Sequence, residues 1–419
     1  MALAGLPQLS GEVEAYRANI WKIYVFRFFL NFQFWWPIWV IYLTDLRGLS
    51  FTQVAILEAP FFLSMVLIQV PAGIFADRHG RKLTICIGTF LSALSIVAFG
   101  TADSYLLILG TYVIWAWSLA IMQSADSAFM YDSLKMIGEE GRFPEVMGRS
   151  QAIFNIAILA SMLVGAPLAA SVGLDRAVQL SAISSLAALG MALTLREPTL
   201  RVEGVRPGVR DFVRESYAIG KRDRRIPLLM ILYGFLGVGS IATAVFFQPF
   251  LDGHGVDVAN VGYLQAPARV FGALGALSAF WLARRAGEMR SLYLIAGSAT
   301  AAYAVLGVWD SIGAFIMFPV ISMVSAAAIP LITNMLNQRI PSERRATVLS
   351  AGQLTLALVM AGFSPLLGSI ADAYSLTVGF LAGGVVIGTG SLLALVALGA
   401  GSQLPREPAT EGAVAAGGD

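Results

Sequence analysis

Four charged side chains stand inside long apolar stretches of the chain: Arg27, Glu58, Asp126 and Arg269. An ionisable group surrounded by hydrocarbon is costly, so each one marks either a partner or a task that needs charge at that depth. A carboxylate held away from bulk water can bind and release a proton, which is the chemistry open to Glu58 and Asp126. An arginine keeps its proton, so Arg27 and Arg269 can only hold an anionic group or lock a carboxylate. Three- and four-residue spacing puts Tyr24, Arg27, Asn31 and Trp35 on one helical face, and Gln123, Asp126, Ser127 and Met130 on another. Arg27 and Asp126 stand at comparable depth and are expected to face each other. They form either a proton- or substrate-linked pair or a permanent ion pair that fixes helix packing. Glu58, directly before Ala59-Pro60, either carries a proton or is solvated in an outward vestibule. Arg269, with Gln265 one turn before it, suits an anionic or zwitterionic substrate.

The elements that must position these groups are membrane spans. Hydrophobic residues make up 57% of the 419-residue chain and charged residues 13%, against about 45–50% and about 25% in soluble domains. A span needs about 20 mostly apolar residues. Twelve stretches qualify, near 20–44, 51–76, 82–101, 104–136, 144–171, 176–196, 226–251, 258–283, 290–308, 311–337, 344–371 and 375–399. The connections after odd-numbered spans carry Arg47 and Arg176 but otherwise acids such as Asp45, Asp103, Asp252, Asp257, Asp310 and Asp372. Those after even-numbered spans carry Arg78, Arg81 and Lys82, then Lys135 and Arg142, then Arg284, Arg285 and Arg290, then Arg339, Arg344 and Arg345. That bias places both termini in the cytoplasm.

The connection between spans 2 and 3 packs glycine, one acid and three bases into Pro71 to Lys82. Gly73 allows a close helix approach, and Gly80 supplies the positive φ of a tight turn. Asp77, followed by Arg78, Arg81 and Lys82, suits a salt-bridged cytoplasmic loop. This stretch resembles the signature loop of the major facilitator superfamily, G-x-x-x-D-R-x-G-R-K/R, matched by Gly73, Asp77, Arg78, Gly80, Arg81 and Lys82. Ser278 to Gly287 holds the equivalent place in the second half. There Ala283, Arg285 and Gly287 match, while Arg284 replaces Asp77.

The resemblance implies an all-α integral membrane fold of twelve transmembrane helices in two pseudo-symmetric six-helix bundles. Residues 1–196 would form the first bundle and 226–399 the second. The segment 197–225 would be a cytoplasmic linker, and 400–419 a disordered tail rich in Gly, Ala, Pro and Glu. In the linker, Val209, Phe212, Val213 and Tyr217 recur at helical spacing, with eight bases against four acids from Arg201 to Arg225. That pattern fits either an amphipathic helix on the inner leaflet or a solvated basic linker. In the superfamily, spans 1, 2, 4, 5, 7, 8, 10 and 11 line a central cavity, and all four interior charges fall on such spans. Asn334, with Tyr233, Ser240, Asn337 and Gln353, is a further polar candidate there. Aromatic residues of span 1 and Trp115 and Trp117 of span 4 add possible apolar walls. The resemblance also implies that Asp132, at the inner end of span 4, pairs with Arg78 or Arg81 as a gating charge relay.

Departures matter too. Drug/proton antiporters carry an arginine in mid-span 4, absent here between Tyr112 and Ala125. Their span 5 marker ends in Gly-Pro-x-x-Gly-Gly, where this chain reads Gly165-Ala166-Pro167-Leu168-Ala169-Ala170. The expectation is a secondary transporter of a small organic solute in the cell (inner) membrane, proton-coupled, acting by alternating access, as a monomer. An uptake symporter or facilitator is the alternative, and a non-transporting sensor or scaffold is the alternative of another class. No cofactor, metal or nucleic acid is expected: Cys86 is the only cysteine, His79 and His254 fall in loops, and no phosphate-binding loop is present. No signal peptide is read at the N-terminus.

Overall fold

Apolar runs bounded by capping residues and glycines fold into antiparallel helices, and the computed structural model describes residues 6–198, 214, 218–340 and 345–400. The long helices are α1 (Leu6–Asn31), α2 (Phe51–His79), α3 (Arg81–Thr101), α4 (Tyr105–Met136), α5 (Phe143–Val172), α6 (Leu174–Leu193), α7 (Arg225–Ile241), α8 (Val258–Ala286), α9 (Glu288–Val308), α10 (Met317–Asn337), α11 (Arg345–Ala373) and α12 (Leu376–Ala400). Ser50 opens α2 with a reciprocal cap: its hydroxyl accepts from the Gln53 N–H at 3.2 Å, and the Gln53 side chain accepts from the Ser50 N–H at 3.0 Å. A single glycine turns the chain between α2 and α3 (Gly80, φ +100°) and between α8 and α9 (Gly287, φ +81°), a backbone state that a Cβ disfavours. Apart from residue 214, the expected amphipathic linker stretch around Val209 to Tyr217 lies outside the described residues, as do residues 401–419 of the expected tail.

The first span departs from expectation. Predicted as one helix over 20–44, it stops at Asn31 and passes through non-helical residues 32–38. It resumes at Trp39–Ile41 and ends in a π-helical turn, Tyr42–Leu46. Pro37 has no N–H to give to the preceding turn, and the Gln33 N–H is taken by the Ser161 hydroxyl of α5 at 2.8 Å. The seventh span also has a π-helical turn, Ala242–Phe246, but continues unbroken into Phe247–Gly253. There the Tyr303 hydroxyl enters the ladder, accepting from the Ala242 N–H at 3.0 Å, an insertion of the kind that widens a helix locally. Among the described residues, eleven helical segments are long and apolar enough to cross a membrane. The first, which carries Arg17, Lys22 and Arg27, falls short alone but packs among α4, α5 and α6.

Helix pairing repeats between the halves. α1 packs on α4, α5 and α6 as α7 packs on α10, α11 and α12; α2–α4, α3–α4 and α3–α6 recur as α8–α10, α9–α10 and α9–α12. The two long contacts between halves, α2–α11 and α8–α5, exchange with each other under the same six-helix shift. That is the pattern of two bundles related by a pseudo-twofold axis. Glycine lets these seams close: a Cβ at Gly262 of α8 would strike the Met162 carbonyl of α5, and one at Gly368 of α11 would lie 2.8 Å from the Phe51 carbonyl oxygen. Since the helices alternate in direction, α1 begins and α12 finishes at one end of the molecule, here termed the terminal end; the opposite one is the far end.

Candidate functional site

Between the halves lies a cavity of about 760 Å³. Asn31, Glu58, Gln123, Gln265 and Arg269 line it, as do Tyr233 and Ser240. At the far end the halves are hydrogen-bonded to each other. The Gln248 side chain, after α7, accepts from the Val40 N–H at 2.9 Å and donates to the Trp36 carbonyl at 3.1 Å. The Asp372 carboxylate, ending α11, accepts from the Phe51 and Thr52 N–H groups at 2.8 Å and from the Thr52 hydroxyl at 2.6 Å. A carboxylate on the first free N–H groups of a helix suits both their unmet bonds and the helix dipole.

The cavity wall carries two unpaired charges, one from each half. Among the described residues, no hydrogen bond or ion pair reaches the partly buried Glu58 carboxylate of α2 or the Arg269 guanidinium of α8. Arg269 instead lies over the Trp36 ring, 6.0 Å from its centroid. Trp35 and Trp36 are stacked at 4.4 Å; Trp115 meets Trp35 edge-on at 5.1 Å and lies 4.8 Å from Phe61. Trp117, by contrast, is exposed on the outer surface of the bundle. Several deeply buried polar atoms on the wall have no partner: the Gln33 and Gln265 side-chain oxygens, Trp35 Nε1 and Ser325 Oγ.

Five expected residues lie off that wall: Arg27, Asp126, Asn334, Asn337 and Gln353, the last donating to the Tyr233 hydroxyl at 3.1 Å. Arg27 of α1 and Asp126 of α4 form an ion pair, both side chains about 85% shielded (15% and 13% exposed), and neither lines the cavity. Asn31 donates to the Arg27 carbonyl at 2.8 Å. Asn334 turns away from the cavity and donates to Glu288 of α9 at 3.0 Å, because the rotation of α10 directs that face toward its own bundle.

The α2–α3 corner is tied to its own half. Arg81 forms an ion pair with Asp132 of α4, both largely buried. The Arg81 and Lys82 N–H groups, which start α3, donate to the two oxygens of Glu197 at 2.7 and 2.6 Å. Arg78 is exposed, Asp77 is partly buried and Gly73 is buried. The segment bearing Glu197 is itself pinned by Asn19, whose amide donates to the Arg196 carbonyl at 2.8 Å and to Ser133 at 3.0 Å.

A sequence model of the Major Facilitator Superfamily matches residues 23–365. The chain belongs to that superfamily. A curated relative, the uncharacterized MFS-type transporter YxaM of Bacillus subtilis (strain 168), is 25% identical over 236 residues, 55% of this chain and 57% of that protein. The quinolone resistance protein NorA of Staphylococcus aureus is 31% identical over 108 residues, 26% of this chain and 28% of NorA. The chain thus matches only part of the length of these curated relatives. Among solved structures, the nucleoside transporter NupG superposes with a TM-score of 0.76 at 13% identity, covering 93% of this chain and 100% of NupG. A bacterial homolog of the human lysosomal transporter Spinster, in an inward-facing and unoccupied conformation, gives 0.69 at 18% identity, covering 91% and 94%. At these identities the likeness is one of fold. Membership in the superfamily makes this a multi-pass membrane protein of a transporter family.

The superfamily signature loop pointed to Arg81 and Asp132 but not to Glu197, which lies just past α6, where a loop acid carries no sequence mark. Gln33 and Gln248 were also missed. Gln33 is off the Tyr24–Arg27–Asn31–Trp35 stripe and reaches the cavity only because α1 stops at Asn31; Pro37 was the available signal.

Proposed function

We propose that this chain is a secondary transporter of a small organic solute that works by alternating access and couples to protons through Glu58. The observation that carries the reading is the unpaired carboxylate on a cavity between two pseudo-symmetric bundles, with hydrogen bonds joining the bundles at the far end. The Lys/Arg bias supports the terminal end as the cytoplasmic one, in the cell membrane. With that orientation the far-end contacts of Gln248 and Asp372 form the outer gate. Opening outward would require breaking them, while the α2–α3 corner, with Gly73, Asp77, Arg78, Gly80, Arg81, Lys82 and Asp132, would act in the inner gate. Coupling through Glu58 accommodates the absence of the mid-span 4 arginine of drug/proton antiporters. The partial likeness to NorA supports an organic solute.

The test is flux in proteoliposomes with an imposed pH gradient, reading internal pH with a trapped dye while solutes are presented in turn. Solute-dependent proton movement in the wild type, lost in Glu58→Gln with solute exchange retained, supports coupling at that residue. Solute movement indifferent to the gradient in both proteins would replace this reading with facilitated diffusion.

A further inference from the structure

The cavity carries a charge pattern that a proton-coupled transporter does not by itself require. One half contributes a carboxylate, Glu58, and the other a guanidinium, Arg269; among the described residues each lacks a countercharge. Elsewhere in the bundle interior the chain cancels its charges, as Arg27 does with Asp126 and Arg81 with Asp132. Leaving two opposite charges uncancelled on one cavity is costly unless the occupant supplies their partners.

Aromatic side chains form a chain of ring contacts from the neighbourhood of Arg269 to that of Glu58, meeting edge-on at Trp36–Trp115 and tilted at Trp115–Phe61. Arg269 lies 6.0 Å from the Trp36 ring centroid, Trp36 is 6.3 Å from Trp115, and Trp115 is 4.8 Å from Phe61, which sits one turn after Glu58 on α2. Close to this path stand buried polar groups without partners. The Gln33 oxygen (side chain otherwise bonded to Leu30 and Ser185), the Gln265 oxygen one turn before Arg269, and Trp35 Nε1 all belong to residues at least nine-tenths buried on the cavity wall. A ring system placed along such a path gains burial and a mixture of edge-to-face and stacked contacts. A charged group at each end of it would meet an opposite charge, and an anion or a cation alone would leave one wall charge unmet.

We propose that the cavity takes an elongated aromatic zwitterion, with its anionic group on Arg269, its cationic amine on Glu58 and its rings along Trp36, Trp115 and Phe61. This rests on the reading of the cavity as the transport site and specifies the class of solute. Carboxylate to guanidinium and ammonium to carboxylate are both charge-assisted hydrogen bonds, so each end adds affinity.

A matched set of probes tests it: 4′-(aminomethyl)biphenyl-4-carboxylate, biphenyl-4-carboxylate and 4-phenylbenzylamine, titrated calorimetrically into the purified full chain in detergent at pH 7.5. The wild type is expected to bind the zwitterion about tenfold or more tighter than either singly charged probe. Glu58→Gln should remove the advantage over the anion without weakening anion binding. Arg269→Gln should remove the advantage over the amine without weakening amine binding. That crossed pattern cannot arise from a variant that merely misfolds. Equal binding of zwitterion and anion by the wild type, or no binding of any probe, overturns the proposal; equal binding would assign Glu58 to the proton alone. Flux is measured separately. Selective zwitterion binding without flux upholds this proposal and sinks the transport reading. Flux of another solute without zwitterion preference does the reverse.

Discussion

The two halves share one helix-packing plan but not one electrostatic plan. In the first half Arg27 is neutralised by Asp126, Arg81 by Asp132, and the start of α3 is capped by Glu197. In the second, Arg269 stands without a counterion among the described residues. The equivalent α8–α9 corner is held by the Glu288–Asn334 hydrogen bond, with Arg285 laid over Trp281 at 4.3 Å. The difference teaches that the repeat preserves what packing needs, the shared helix contacts and the glycine turns, while buried charge is free to diverge. Among the described residues, each half presents one uncompensated charge to the cavity, Glu58 from the first and Arg269 from the second, while the first is also tied internally by the Arg27–Asp126 and Arg81–Asp132 pairs.

The largest expected effect breaks this contrast at its strongest point. Asp126→Ala leaves Arg27 buried without its partner and should lower unfolding free energy by about 3–5 kcal/mol, measured by denaturant titration in mild detergent. Arg27→Met with Asp126→Leu should recover most of that loss. Arg269→Met, which orphans no partner and removes an uncompensated charge, should be neutral or stabilising. A neutral Asp126→Ala would show that the pair is not structural.

The corners come next. Glu197→Gln should cost about 1–2 kcal/mol through the α3 cap, whereas Glu288→Gln, which loses one charge-assisted bond near the surface, should cost about half as much or less. Equal costs would erase the asymmetry. Across the halves, Asp372→Ala removes the carboxylate from the start of α2 and should shift the balance toward a far-end-open state by about tenfold. Labelling of Thr243→Cys in a Cys86→Ser background by an impermeant maleimide from the far side reads this; an unchanged rate would remove Asp372 from the gate. The smallest effect is expected at Gln248→Ala, below about 1 kcal/mol in stability, with faster far-side labelling of the same cysteine.

Much of this was legible from the chain. Apolar length located the helices, and Gly80 in its basic loop identified the family, because both signals are local. The nearness of Arg27 and Asp126 followed from equal depth on neighbouring spans. The break after Asn31 was not legible, since it needs the Ser161 hydroxyl of another helix as well as Pro37. The turning of Asn334 toward Glu288 was hidden for a related reason: helical spacing gives which residues share a face, but not which neighbour that face meets. Glu197 stayed invisible because its partner is a pair of backbone N–H groups 115 and 116 residues away in the chain.

Trp36 and Val40 are four residues apart, the separation of a helix's own carbonyl and amide partners. Gln248 sits between them, its carboxamide standing in for one peptide unit and splicing the second half into an unfinished turn of the first. On withdrawal of Gln248 the Trp36 carbonyl and the Val40 N–H would be left to each other or to water. In the proposed alternating-access cycle, a contact made by substitution rather than addition would cost the backbone little to break.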